Sequence, residues 1–175
     1  MIDDVTVRRV GATEAAECVE ALSDVLVDCV EGGASVSFML PLPREKALAF
    51  WRDVADGVAR GERVLLVAED GGRRIVGTVQ MIVSLPDNQP HRADIAKMLV
   101  RRDARRRGIA RRLMESLDEA ARAEGKTLLV LDTVTGGDAE RLYERAGWLR
   151  VGVVPKYALM PTGEWCGTTI FYKHL

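Results

Sequence analysis

From Ala93 to Leu131 the chain reads as an apolar run, a turn crowded with arginine around Gly108, an amphipathic stretch and a second apolar run. Few arrangements accommodate that order. Two strands joined through a helix are expected to lie parallel, because a tight hairpin reverses direction, and the crossover is expected to be right-handed. The strands are expected over Asp94 to Val100 and Thr127 to Leu131. The helix between them is expected from Ile109 to Glu124, with Ile109, Leu113, Leu117, Ala120 and Ala121 inward.

The rest of the chain falls around this unit. Val5 to Val10 reads as an opening strand, and Thr13 with Glu14 begins a helix carrying Ala16, Val19, Leu22, Leu26 and Val30, stopped by Gly32-Gly33. Pro43 suits a first helical turn, and Ala47, Phe50, Trp51, Val54 and Val58 mark a second helix ending before Gly61. Val64 to Ala68 and Ile75 to Leu85 form a hairpin around Asp70-Gly71-Gly72. Asp138 is placed to cap a short helix with Ala139, Leu142, Tyr143 and Ala146 on one face, closed by Gly147. Trp148 to Val154 and Gly167 to Lys173 finish as paired strands. Pattern alone therefore gives the order β-α-α-β-β-β-α-β-α-β-β, an α/β fold with about four helices in what is expected to be a single domain spanning residues 1–175.

The arginines carry a functional signal. Arg105, Arg106, Arg107, Arg111 and Arg112 crowd the start of a helix, where free N–H groups are already positive and acidic residues are preferred. Gly108 has no Cβ, so an anion can approach the backbone closely. The net charge is only −1, which makes the positive charge local. Two readings stay open: a solvated basic face, or a phosphate site. Nucleic acid is disfavoured as the source of phosphate, because aromatic residues make up 5% of the chain and are not interleaved with the arginines.

Arg105-x-x-Gly108-x-Ala110 after a strand resembles the coenzyme A signature of the GNAT acetyltransferase superfamily. Glu31 to Met39, Ala96 to Val100, Leu131-Asp132-Thr133 and Ala139 to Tyr143 extend the resemblance over nearly the whole chain, most similar to its tabtoxin-resistance group. The resemblance implies a mixed, mostly antiparallel central sheet splayed between strands 4 and 5, with the pantetheine arm of acetyl-CoA in the gap. Backbone groups of Met98, Leu99 and Val100 would pair with that arm, Leu99 or Val100 supplying an oxyanion donor. The pyrophosphate would lie on Arg105, Arg106, Arg107, Gly108, Ile109, Ala110 and Arg111. It implies an N-acetyltransferase acting by direct transfer on a small amine, a β-lactam amino-acid toxin or an antibiotic among the acceptors.

An ammonium has no lone pair, so acetylation needs a base. Asp132, expected at the end of the fifth strand, is the candidate, with a turn-capping role as its alternative. Asp94, across the gap, is secondary and would act through a water. Tyr143, at a position where the family commonly carries an acid for the departing thiolate, is the second catalytic candidate and a cofactor contact. Ser35, Ser37, Phe38, Asp132 and the Tyr157 loop are the expected acceptor walls, although on sequence alone Ala34 to Leu42 reads more readily as packing. Gly136 stands where the family often has Asn, so that contact to the cofactor is absent or made by another group.

Other classes are bounded by composition. The three cysteines read as free thiols: Cys18 and Cys29, on one helix, would lie ~16 Å apart at ~1.5 Å per residue. No Cys/His spacing suggests a metal, and Cys166 has no recognisable His partner for a covalent route. Met1 leads into Asp3 and Asp4 with no basic and apolar leader pattern, and no apolar run approaches a membrane span. A cytoplasmic protein is expected, without nucleic-acid or membrane partners, as a monomer or a homodimer. The rival reading is a catalytically silent module that binds an acyl-CoA and signals through a partner.

Overall fold

The computed structural model describes residues 5–175, so Asp3 and Asp4 lie outside the described residues. Its elements are β1 (Thr6–Val10), α1 (Ala12–Glu17), α2 (Val19–Glu31), α3 (Arg44–Ala59), β2 (Arg63–Glu69), β3 (Ile75–Ile82) and β4 (Arg92–Val100). A short 3-10 turn, Arg102–Ala104, leads to α4 (Ile109–Ala123), β5 (Leu128–Val134), α5 (Asp138–Arg145), β6 (Leu149–Leu159) and β7 (Trp165–His174).

All seven strands join one sheet in the order β1-β2-β3-β4-β5-β7-β6. Only β4 and β5 run parallel. Helices cover both faces, which is why β2 and β3 are nearly continuous apolar runs. On one face Leu65, Val67 and Leu99 pack under α1, α2 and α3 with Leu22, Leu26 and Trp51. On the other, Val64, Leu66, Val79 and Met81 meet Ile109, Leu113 and Leu117 of α4. Burying each such side chain contributes about 2 kcal/mol, so α4 is held by its apolar stripe.

Several expected boundaries are corrected. The first helix is two helices, α1 and α2, meeting at Cys18; the inward face of α1 is Ala15 and Cys18, while Ala16 is exposed. The count is therefore five. The two cysteines lie on different segments but remain free thiols. β3 stops at Ile82 because its partner β4 is last paired there, at Asp94, and the Val83 and Ser84 N–H groups turn to the Glu62 carbonyl. β5 runs on to Val134 rather than ending at Leu131. Its pairing with β7 holds Asp132, Thr133 and Val134 extended, where apolar character alone had run out. Gly137, not Asp138, caps α5; Asp138 is the first helical residue and pairs with Arg141. β6 continues to Leu159, so Tyr157 stands on a strand rather than a loop.

Candidate active site

Parallel pairing of β4 with β5 covers only Arg92 to Asp94 against Leu128 to Val130. Beyond those rungs the strands separate, because β5 follows β7 while β4 follows β3. Ile95 to Val100 and Leu131 to Val134 then face each other across a cleft of about 960 Å³. Its remaining walls are the start of α4, one side of α5, and the loop Gly32 to Val36 with Met160 opposite. That loop is tied down by Ser35 Oγ donating to Leu159 O at 2.8 Å, and the chain beyond it by Leu40 N donating to Pro161 O at 3.0 Å.

A β-bulge shapes the β4 wall. Thr78 pairs with Leu99 and Gln80 with Ala96, so Lys97 and Met98 together oppose Val79, and Lys97 takes a left-handed φ of 52°. Such a bulge bends the strand and re-aims its side chains. The Lys97 ammonium is turned toward the loop, where Nζ donates to Ser37 Oγ at 3.2 Å and stands 5.3 Å from the Phe50 ring centroid and 6.0 Å from that of Phe38.

The phosphate end is built from backbone. Gly108, with φ of 75°, is the N-cap of α4, and Arg106 is also left-handed at 63°. The first helical bond runs from Arg112 N to Gly108 O, so the N–H groups of Ile109, Ala110 and Arg111 have no helix carbonyl to meet. No acidic residue stands in that first turn. A Cβ on Gly108 would meet nothing, and conformation rather than space calls for glycine there. Arg105, Arg106, Ala110 and Arg111 line the cleft beside it, while Arg107 lies outside the wall. Arg105 is partly committed: its Nε donates to Val100 O at 3.1 Å, the same carbonyl that the Cys29 thiol meets at 3.4 Å. Burial pushes the Cys29 thiol up from its ordinary pKa, which keeps it protonated.

Asp132 and Tyr143 both face the cleft. Thr168 Oγ1 lies 2.8 Å from Asp132 Oδ2 and 3.0 Å from Thr133 O, and its one proton, shared between these two acceptors, holds the carboxylate in place. Tyr143 is buried, edge-on to Trp148 with ring centroids 6.0 Å apart and tilted against Phe171 at the same distance. Burial, with the Asp132 charge adding to it, pushes its phenol well above the ordinary value, so it stays protonated. Lys97 is shifted the other way: burial lowers it, and Asp132 partly offsets that by favouring the cation.

The remaining candidates are distributed differently from expectation. Asp94 stands on the last paired rung, ion-paired with Arg92, and is not part of the cleft wall. Ser35 lines the cleft; Ser37 and Phe38 do not, and instead support Lys97 from behind. Tyr157 is 57% exposed on the edge strand and away from the cleft, because β6 extends past the point where a loop was expected. Gly136 is left-handed at 81° and donates its N–H to Glu140 Oε2 at 2.7 Å, so the position that often carries Asn is here a turn held by α5. Lys97, Thr168 and Met160 were missed. Only Lys97 left a signal, as the one charge within Ile95-Ala96-Lys97-Met98-Leu99.

Residues 34–148 match the sequence profile of the acetyltransferase (GNAT) family. The chain belongs to that family. GNAT acetyltransferases take their acyl group from acetyl-CoA. It is 33% identical over 131 residues, 74% of this chain and 75% of the relative, to an uncharacterised N-acetyltransferase of the hisH–hisA intergenic region of Azospirillum brasilense. Solved structures share the fold. An N-acetyltransferase from Staphylococcus aureus Mu50 superposes with a TM-score of 0.79 at 18% identity over 98% of both chains. A GCN5-related N-acetyltransferase from Kribbella flavida gives 0.78 at 23% identity, also over 98% of both chains. The acetyltransferase yncA of Salmonella typhimurium, solved with acetyl-CoA, gives 0.72 at 17% identity over 98% of this chain and 94% of its own. This GNAT chain has no group of three metal-ligating side chains and no helix long and apolar enough to cross a membrane among its described residues.

Proposed function

We propose that this acetyltransferase moves the acetyl group of acetyl-CoA directly to the amine of a small molecule held in the same cleft. The observation that carries the reading is the unpaired β4 edge, Ile95 to Val100, facing Asp132 and Tyr143 with the glycine-capped start of α4 beside it. An extended pantetheine arm has the polar groups to meet such an edge as a strand would, with Met98, Leu99 and Val100 as its backbone partners. Its pyrophosphate would meet the N–H groups of Ile109, Ala110 and Arg111, with Arg105, Arg106 and Arg107 around Gly108 adding charge.

Asp132 takes the proton of the acceptor ammonium, freeing the lone pair that attacks the thioester carbonyl carbon. A backbone N–H at Leu99 or Val100 receives the developing oxyanion, a contribution of about 3 kcal/mol in comparable sites. The carbon–sulfur bond then breaks, and the Tyr143 phenol, kept protonated by its surroundings, donates to the departing thiolate. Cys166 supports no covalent detour: the partner recorded for its thiol is the Ser35 hydroxyl at 3.9 Å, with no imidazole to activate it. The acceptor class is that of the resemblance, a small amine, with a β-lactam amino-acid toxin and antibiotics among the acceptors.

Isothermal titration with acetyl-CoA and thiol-release assays test the reading together. Gly108→Glu is expected to abolish micromolar binding while the protein stays folded. Asp132→Asn is expected to bind acetyl-CoA as before and to lose about a hundredfold or more in kcat. Binding of acetyl-CoA with no transfer to any amine would instead support a silent acyl-CoA module.

A further inference from the structure

Besides arginines, the cleft wall carries one lysine, Lys97. The phosphates belong at Gly108, beyond the end of β4. Lys97 lies three residues back along the strand, about 10 Å at ~3.3 Å per residue, on the acceptor side. Its ammonium has one polar partner, Ser37 Oγ at 3.2 Å, and rests against the Phe50 and Phe38 rings. Among the described residues no carboxylate comes within ion-pair distance of Nζ, although Asp132 is near enough to be felt. A desolvated cation without an anion is costly unless a ligand supplies one.

We infer that Lys97 binds a carboxylate of the acceptor, so that the substrate is a small amino acid whose amine is presented to Asp132. The inference rests on the acetyltransferase reading and narrows it. The Phe50 and Phe38 rings stand against the cation and add a cation–π attraction that keeps it in place. Asp132 fixes the opposite pole, so an acceptor with separated positive and negative ends fits in one orientation only.

The test compares matched acceptors. The protein-forming L-amino acids, β-alanine and γ-aminobutyrate are assayed by thiol release against their carboxamides, with wild type, Lys97→Met and Lys97→Arg, and acetyl-CoA binding is titrated for each protein. Carboxamide amines are the weaker bases, so intrinsic reactivity does not favour the acids. The best acid is expected to exceed its carboxamide by about tenfold or more in kcat/KM, a ratio that falls to near one in Lys97→Met and is partly kept in Lys97→Arg. Carboxamides preferred by wild type, or a ratio unchanged in Lys97→Met, overturn the inference. So does transfer to none of the acids by a protein that binds acetyl-CoA, an outcome that leaves the cofactor site standing. Failure to bind acetyl-CoA removes both readings.

Discussion

Single side chains in the cleft are placed against their own stability. Lys97 holds its charge in surroundings that lower its affinity for a proton, through burial first. Between that lowered folded value and the ordinary lysine value, the unfolded chain binds more protons than the folded one, so stability rises with pH across that window. Below it the penalty is present in full. Lys97→Met is therefore expected to be more stable than wild type at neutral pH, with the difference fading as pH passes the ordinary lysine range, as read from urea midpoints. Equal midpoints at neutral pH would mean that Ser37 and the rings already repay the burial. Tyr143 yields the complementary prediction. With its phenol shifted upward, the rate–pH profile is expected to show no alkaline fall from loss of its proton, and Tyr143→Phe is expected to lower kcat about a hundredfold with the fold intact. Asp132 was legible because it follows the apolar run that ends at Leu131, and Tyr143 because it lies on the apolar face of a short capped helix; Lys97 stood out only as a lone charge in an apolar run, and its direction comes from a bulge that residue type does not announce.

Elements position these side chains by contact. Gly77 of β3 admits α4 to the sheet: a Cβ there would lie 3.1 Å from Leu99 O and 3.2 Å from both Ile109 Cγ2 and Leu113 Cδ1. One neighbour is the backbone of the cleft strand, and the others are the stripe that seats the α4 N-terminus. Gly77→Ala is expected to destabilise by about 1 to 3 kcal/mol and to weaken acetyl-CoA binding, seen as a lowered urea midpoint together with a raised Kd. An unchanged Kd would show that α4 shifts without disturbing its first turn. Most elements were readable because α4 buries a stripe of helical period and β2 and β3 are short, largely apolar runs separated by a glycine turn. The ends of β3 and β5 were not, since they depend on which neighbour each strand pairs with: β3 loses β4 at Ile82, and β5 keeps β7 to Val134.

Across the whole molecule, charge is nearly balanced at −1 while arginine gathers at one end of one cleft. Attraction of acetyl-CoA is thus local, between exposed side chains and phosphates, and open to screening. Raising salt from about 50 to about 500 mM shortens the Debye length from ~14 to ~4 Å and is expected to weaken acetyl-CoA binding several-fold in titration. Affinity insensitive to salt would shift the weight from the arginines to the N–H groups of α4. The sequence by itself determined the βαβ unit, the arginine turn and the order of elements, because each is written in residues that are neighbours along the chain. Only the tertiary structure decided which residues share the cleft. It brings Lys97, Asp132 and Tyr143 together and leaves Asp94 on the closed rung and Tyr157 on the outer edge. Where two strands part is set by their competing neighbours in the sheet, and no local stretch of sequence contains that competition.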